Sequence, residues 1–411
     1  MRKIAPLSAL IEGLPPAYWL LWAGTLINRL GGFVVPFLTL YLTGKRDIPV
    51  GQAVLMVSLL GAGSFLSQLV GGELTDRLGR RSMMLTSFLV TPVFMITLGL
   101  ARSVTVIAGC MLLLGFFIDL YRPAVSAAVA DLVPPESRTR GFGYIYWAIN
   151  LGAAVAPVLA GVMADYSYLA LFFADALTTL LFGLIVLFGF RETRPVEAAH
   201  HAAHASVLER LGQIKRVPIL LLFSFVSLFF GIIYTQGNVT LPLDMATHGL
   251  EPSKYGLTIA VNGFLIILTT IPVSNLAAKW PRFPTMAVAA VFLGLGFGFT
   301  GLASSMPLFM LSVAIWTIGE ILGTSVAPTI IADMSPVELR GLFQGIFGSS
   351  WGLAYFLGPI AGGWIYESWG ATTLWTITFA VGLILCAAYL ALGRLRTRGT
   401  PVPAVESPRN Q

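Results

Sequence analysis

Two apolar runs, roughly 51–70 and 83–101, are separated by a short charge-dense break, Gly72-Glu73-Leu74-Thr75-Asp76-Arg77-Leu78-Gly79-Arg80-Arg81. Each run is close to the ~20 residues a helix needs to cross the hydrocarbon of a bilayer. The break is therefore predicted to be a tight loop at a membrane surface. This alternation excludes a soluble globule, and the composition agrees with it. Of 411 residues, 11% are charged and 56% hydrophobic, against about 25% charged in water-soluble domains. So little charge cannot cover a globule, and lipid is the expected solvent. A net charge of +6 would suit nucleic acid. The basic residues, however, are spread between apolar runs and not gathered in a patch, so no nucleic-acid partner is expected.

The same reading along the whole chain gives twelve spans: 17–42, 51–71, 83–101, 104–132, 140–163, 167–190, 217–243, 255–277, 284–303, 306–333, 341–365 and 371–393. They must be helices, because hydrocarbon offers no partner to an open backbone. The fold class is thus an all-α membrane protein with an even number of spans. With both termini in the cytoplasm, only Lys45, Arg46, Arg102 and Lys254 lie outside. Arg29 and Arg122 lie within spans, which leaves 19 of the 25 Lys and Arg on the cytoplasmic side. That is the positive-inside bias, and it places the chain in the cytoplasmic membrane. The division expected is an N-terminal half (1–190), a linker (191–216), a C-terminal half (217–393) and a disordered tail (394–411). The linker's His200, His201 and His204 have no acid or cysteine beside them and read as solvated, with no metal site. Cys110 and Cys386 fall in apolar runs and read as buried free thiols. Met1–Pro16 lacks the pattern of a cleaved signal peptide, so the first span is expected to direct insertion.

An internal repeat supports the division. At an offset of 202, Ala130-Asp131-Leu132-Val133-Pro134-Pro135-Glu136-Ser137-Arg138 lies on Ala332-Asp333-Met334-Ser335-Pro336-Val337-Glu338-Leu339-Arg340. The same register sets Leu74, Arg77 and Arg80 against Leu276, Lys279 and Arg282, and Pro157 and Gly161 against Pro359 and Gly363.

Four ionisable side chains stand near mid-span: Arg29, Asp119, Arg122 and Glu320. Exposed to lipid they would together cost on the order of 10 kcal/mol, so they must face a water-filled cavity or one another. Asp119 and Arg122, three residues apart, share a helical face and can pair. Glu320 has no basic neighbour on its own helix and is the candidate proton acceptor. Asp175, close to the outer end of its span, is expected to be hydrated or snorkelling and not a coupling residue. Polar and aromatic residues surround the charges: Asn28; Tyr144, Trp147 and Asn150; Tyr234, Gln236 and Asn238; Trp316; Trp351 and Tyr355. As a set they suggest a mostly apolar cavity for lipophilic, cationic cargo. The chain holds no catalytic triad, no H-E-x-x-H and no phosphate loop. An enzyme and an ATP-driven pump are both disfavoured, and no cofactor is expected.

The break reads G-x-L-x-D-R-x-G-R-R, and together with Asp119-Leu120-Tyr121-Arg122 and Gly358-Pro359-Ile360-Ala361-Gly362-Gly363 it resembles the major facilitator superfamily over essentially the whole chain. Within it the chain is similar to the drug:proton antiporter branch, multidrug transporters of the MdtH type. The resemblance implies two pseudo-symmetric six-helix halves related by an axis along the membrane normal, with spans 1, 4, 7 and 10 lining a central cavity. It also implies a monomer that uses the proton motive force to export small lipophilic or amphipathic compounds by alternating access. The alternative is transport of a specific metabolite or lipid. A cytoplasmic latch is implied at Gly72, Asp76, Arg77, Gly79 and Arg80, with Asp76 near the amino end of span 11 and Arg77 and Arg80 toward Asp131. Because Ala278 stands where the first copy has Asp76, the latch is expected to be one-sided. Pro157, Gly161, Gly358, Pro359, Gly362 and Gly363 would be helix-packing positions. Two departures stand out: alanine at 156 and 160, where the span 5 signature has glycine, and Met111, where the branch has a span 4 arginine.

Overall fold

The computed structural model describes residues 13–195, 217–250 and 252–398. The linker histidines and the end of the expected tail lie outside the described residues. The chain folds as α1 (Pro16–Leu30), α2 (Val34–Lys45), α3 (Val50–Leu78), α4 (Arg80–Leu100), α5 (Val104–Asp119), α6 (Tyr121–Leu132), α7 (Arg138–Tyr166) and α8 (Tyr168–Gly189). The second half contains α9 (Pro218–Val239), α10 (Leu241–Thr247), α11 (Pro252–Ala277), α12 (Arg282–Thr300), α13 (Met306–Met334) and α14 (Arg340–Arg398). Span 1 is α1 with α2, span 4 is α5 with α6, and span 7 is α9 with α10. α14 is interrupted at Gly370 (φ 83°, ψ 169°), which separates spans 11 and 12. Six spans fall in each half, as the charge alternation predicts.

Proline sets many of the helix starts. Pro16, Pro218 and Pro307 occupy first-turn positions, where a missing N–H leaves no bond unmade. Pro49 and Pro281 stand immediately before α3 and α12. Eight helical stretches among the described residues are long and apolar enough to cross a membrane, one of them (Val337–Arg396) holding two spans.

The break that opened the sequence reading is not a loop. α3 runs to Leu78 and α4 begins at Arg80, so Gly79 alone (φ 98°, ψ 156°) turns the chain. Charge draws a segment to the membrane surface, but it does not end a helix. The positive φ does, and it needs glycine.

Each half packs around its own interior. In the C-terminal half, Phe223, Phe230, Phe297, Trp316 and Trp375 form one core. In the N-terminal half, Tyr18, Leu21, Phe88 and Phe182 form a second, and Leu38, Leu42, Met111, Leu114 and Phe172 a third. Large apolar side chains such as Val93, Phe188, Phe225, Phe264, Leu302 and Ile384 point outward, as expected where lipid is the solvent. Cys110 is buried and Cys386 partly so, and both are free.

The halves meet over one face, the one carrying the basic connections. There small residues let spans 2 and 11 touch. A Cβ on Gly72 would lie 2.6 Å from the Gly341 carbonyl and 3.1 Å from the Cα of Gly345. Spans 5 and 8 meet where Tyr144 bonds Asn275 (3.2 Å) and the Trp147 indole donates to the Ile267 carbonyl (2.7 Å). Span 5 supplies its hydrogen bonds across the halves from residues 138–147 only, among the described residues. At 1.5 Å per residue that is about the first 14 Å of a 29-residue helix. The structure is closed on the basic face, and no described polar contact joins the halves toward the other.

Candidate functional site

The basic face is organised by charge. The Asp76 side chain is fully buried and accepts the amides of Gly341 (2.8 Å) and Leu342 (2.9 Å), which open span 11. A carboxylate at a helix amino end is favoured by the unpaired N–H groups and the macrodipole. Arg80, also fully buried, reaches Asp76 (3.2 Å), Asp131 (3.0 Å) and the Val337 carbonyl (3.2 Å). Asp131 also pairs with Arg340 across the halves. The second copy mirrors this: Asp333 pairs with Arg282 of its own half (2.5 Å) and with Arg138 of the other (2.8 Å).

Two expectations are corrected here. Arg77 does not turn toward Asp131 but pairs with Glu73 one turn back (2.7 Å). The face is also not one-sided. Its arginine–aspartate clusters come in a crossed pair, while the Asp76 element has no mirror among the described residues, as Ala278 in the second copy implies. The start of the linker adds a clasp that sequence reasoning missed. Glu192 accepts the amides of Arg80 and Arg81 (3.0 Å each), while Arg194 donates to the carbonyls of Asp76 (2.7 Å) and Arg77 (2.6 Å).

Glu320 is buried in α13 at the seam between the halves. It accepts the Tyr146 hydroxyl of the N-terminal half (2.5 Å) and the Asn262 amide of α11 (2.6 Å). The Tyr234 hydroxyl faces the same carboxylate. Tyr234, Trp351 and Tyr355 form a chain of edge and tilted ring contacts beside it, with centroids 5.8 and 6.5 Å apart. Tyr146 and Asn262 were not singled out from sequence, because Asn262 reaches Glu320 through the packing of spans 8 and 10 and Tyr146 only through the docking of the halves.

The other three mid-span charges do not join Glu320. They line a cavity of about 310 Å³ bordered by spans 1 to 6 of the N-terminal half. Asp119 pairs with Arg122 and accepts from Ser64 of span 2. Arg29 donates to the Tyr121 hydroxyl (2.8 Å), and its Nε is buried without a hydrogen bond among the described residues. Asn28 bonds Thr179 (2.9 Å) on the same wall. Asp175 lines this cavity too, 3% exposed, and accepts the amides of Phe33 (3.1 Å) and Val34 (3.0 Å). It is neither hydrated at the outer end nor snorkelling. The broken first span supplies backbone donors that outweigh the pull of the interface. Tyr355 of span 11 is near both Arg122 and Glu320 and stands between the two sites.

Several residues expected on a cargo wall are used otherwise. Gln236 is buried, donates to the Gly358 carbonyl (3.0 Å) and accepts from Thr240 (3.1 Å). Trp316 stacks on Phe297 inside the C-terminal core, with ring centroids 5.3 Å apart. Tyr144 and Trp147 close the seam between spans 5 and 8, and Asn150 bonds the Tyr146 carbonyl of its own helix (3.0 Å). Asn238 is exposed near the end of α9. Gly358 and Gly362 face Thr235 and Gln236 of span 7, Pro359 lies inside α14, and Gly363 faces open space. Of Pro157 and Gly161, the side-chain surroundings lie outside the described residues. Ala156 lines the cavity and Met111 is fully buried, so neither departure places a charge in span 4 or 5.

The chain matches the Major Facilitator Superfamily profile twice, over residues 21–243 and 235–411. It is similar to the uncharacterised MFS-type transporter YttB of Bacillus subtilis (strain 168), at 28% identity over 88% of this chain and 91% of that protein. It is similar to the multidrug resistance protein MdtH of Cronobacter sakazakii, at 24% identity over 78% of this chain and 79% of that one. Its fold is like that of the human organic anion transporter MFSD10 (TETRAN), with a TM-score of 0.74 at 19% identity, over 92% of this chain and 100% of that one. Two matched repeats, twelve spans and intramembrane charges gathered at a cavity and a seam agree with one conclusion: the chain belongs to the major facilitator superfamily, a family of membrane transporters that are carriers and not enzymes.

Proposed function

We propose that the chain is a proton-coupled exporter of small lipophilic or amphipathic compounds, working by alternating access in the plasma membrane with both termini in the cytoplasm. One observation carries the reading: Glu320 takes hydrogen bonds from Tyr146 of one half and Asn262 of the other. A carboxylate bonded in this way ties its protonation to the closure of the halves. A proton that changes its bonding changes the relative stability of the two states, which is the requirement for coupling. The aromatic chain Tyr234–Trp351–Tyr355 beside it suits flat, lipophilic cargo. The proton motive force supplies the energy, the basic face is the cytoplasmic one, and the state seen is closed toward the cytoplasm. The carrier works as a monomer.

A second reading, transport of a specific organic metabolite, is favoured by Arg29 and Arg122, which both line the cavity and suit an anionic group. Reconstitution into liposomes with an imposed pH gradient separates them. Tetraphenylphosphonium and an anionic dye are followed in parallel, with no nucleotide present. Gradient-dependent movement of the cation supports the first reading. Equal movement without the gradient rejects proton coupling, and movement of the anion alone rejects cationic export.

A further inference from the structure

Span 1 is not continuous. α1 ends at Leu30, Gly31 and Gly32 follow, and α2 restarts at Val34 with Phe33 as its cap residue. Gly31 lies so close to Thr178 of α8 that any side chain there would overlap it. A helix begun inside the membrane has amide groups without helical partners. Here Oδ2 of Asp175 takes two of them, the Phe33 amide being shared with the Gly31 carbonyl (2.8 Å). Oδ1 has no hydrogen bond among the described residues, and Asp175 lines the N-terminal cavity. One oxygen thus holds the helix and the other is open to a proton from the cavity.

We infer that Asp175 is a proton-responsive clamp on the broken first span. Ionised, it holds the amino end of α2 against α8. Protonated at Oδ1, it loses the charge–dipole attraction, and its hold on the Phe33 and Val34 amides weakens. Occupancy of the cavity by a proton is then read as loosening of the cavity's own wall, which includes Gly32 and Val35. The charged groups facing Asp175 are Arg29 of α1 and, across the cavity, Asp119 and Arg122 of span 4. Spans 3 and 5 offer only Ser87, Thr91, Ala153 and Ala156 as small or polar neighbours. Arg29 is the cation on its own side of the cavity, while Asp119 and Arg122 pair with each other. The residue is a positioning residue: it touches neither cargo nor Glu320, and it acts through α2. The inference deepens the proton-coupled reading and rests on it for its purpose, but its test does not depend on transport.

The test is hydrogen–deuterium exchange of the full chain in lipid nanodiscs from about pH 5 to 9, corrected for intrinsic rates, with a segment of α8 as internal reference. In the wild type, protection of the segment 31–36 should fall about two- to fivefold as pH drops, the loss expected of a carboxylate at a helix end. Asp175→Asn keeps the shape and an acceptor oxygen but cannot ionise, so its protection should match the low-pH wild type at every pH. Protection that is flat with pH in the wild type overturns the inference, as does unchanged pH dependence in Asp175→Asn. If the variant does not insert, the wild-type titration alone decides. Failure of the dye assay with an intact exchange titration would reject the export reading and leave the clamp standing.

Discussion

At the residue scale, Glu320 has no salt bridge among the described residues and takes its hydrogen bonds from both halves. Glu320→Gln keeps an oxygen for Tyr146 and Asn262 but removes the exchangeable proton. Downhill movement of tetraphenylphosphonium should persist, while gradient-driven accumulation falls to that of empty liposomes. Retained gradient dependence would assign the proton elsewhere. Tyr146→Phe removes one donor from the carboxylate and should lower thermal stability in detergent by about 1–2 kcal/mol. The pairing of Asp119 with Arg122 was legible because a spacing of three settles it on one helix. The partners of Glu320 were not, since Asn262 arrives by tertiary packing from span 8 and Tyr146 depends on how the halves dock. Trp316 and Gln236 show the opposite failure. Polar or aromatic character within a span says nothing of which face turns to the cavity, and both turned inward to pack.

At the element scale, the spans were legible almost to their ends because apolar length is a one-dimensional property. Their breaks were not. Helix ends inside or beside a membrane are set by backbone conformation and by caps from distant elements, as Gly79 and Glu192 show. Gly79 has φ 98°, and a Cβ there would sit 2.4 Å from the nearer Glu192 carboxylate oxygen if nothing shifted. Gly79→Ala should therefore destabilise by about 1–3 kcal/mol from the backbone conformation alone, and more if the Glu192 cap is displaced. Gly363→Ala, with nothing within 4 Å, is the control and should melt like the wild type. Equal melting of both variants would mean that the 2–3 connection relaxes without penalty.

At the scale of the whole molecule, the repeat in the sequence becomes a crossed arrangement in space. Each half contributes an aspartate that ends span 4 or 10 and an arginine that begins span 5 or 11, and each aspartate binds the other half's arginine. The sequence offset makes the two clusters equivalent but cannot say that they cross, because that depends on the relative placement of the halves. Crossing has a mechanical consequence. The bonds within a half, Arg80–Asp131 and Arg282–Asp333, can persist through a rocking motion, whereas Arg340–Asp131 and Arg138–Asp333 exist only while this face is closed. Arg340→Gln and Arg138→Gln should thus each favour the open face by similar amounts, about 1.5–3 kcal/mol for a hydrogen bond to a charged group. Asp76→Asn should do at least as much. It weakens the hold on the amino end of span 11 and removes one of the two carboxylates beside Arg80, and it has no mirror-related element to share the load. Distances between spin labels at Arg191→Cys and Lys279→Cys, both exposed on this face, would report the shift in a chain with Cys110 and Cys386 replaced by alanine. Tetraphenylphosphonium affinity should stay within about twofold, because none of these groups lies at the cavity or at Glu320. Opening by Arg340→Gln with no effect of Arg138→Gln would show that one cluster alone bears the closure, and the two-sided latch would be wrong.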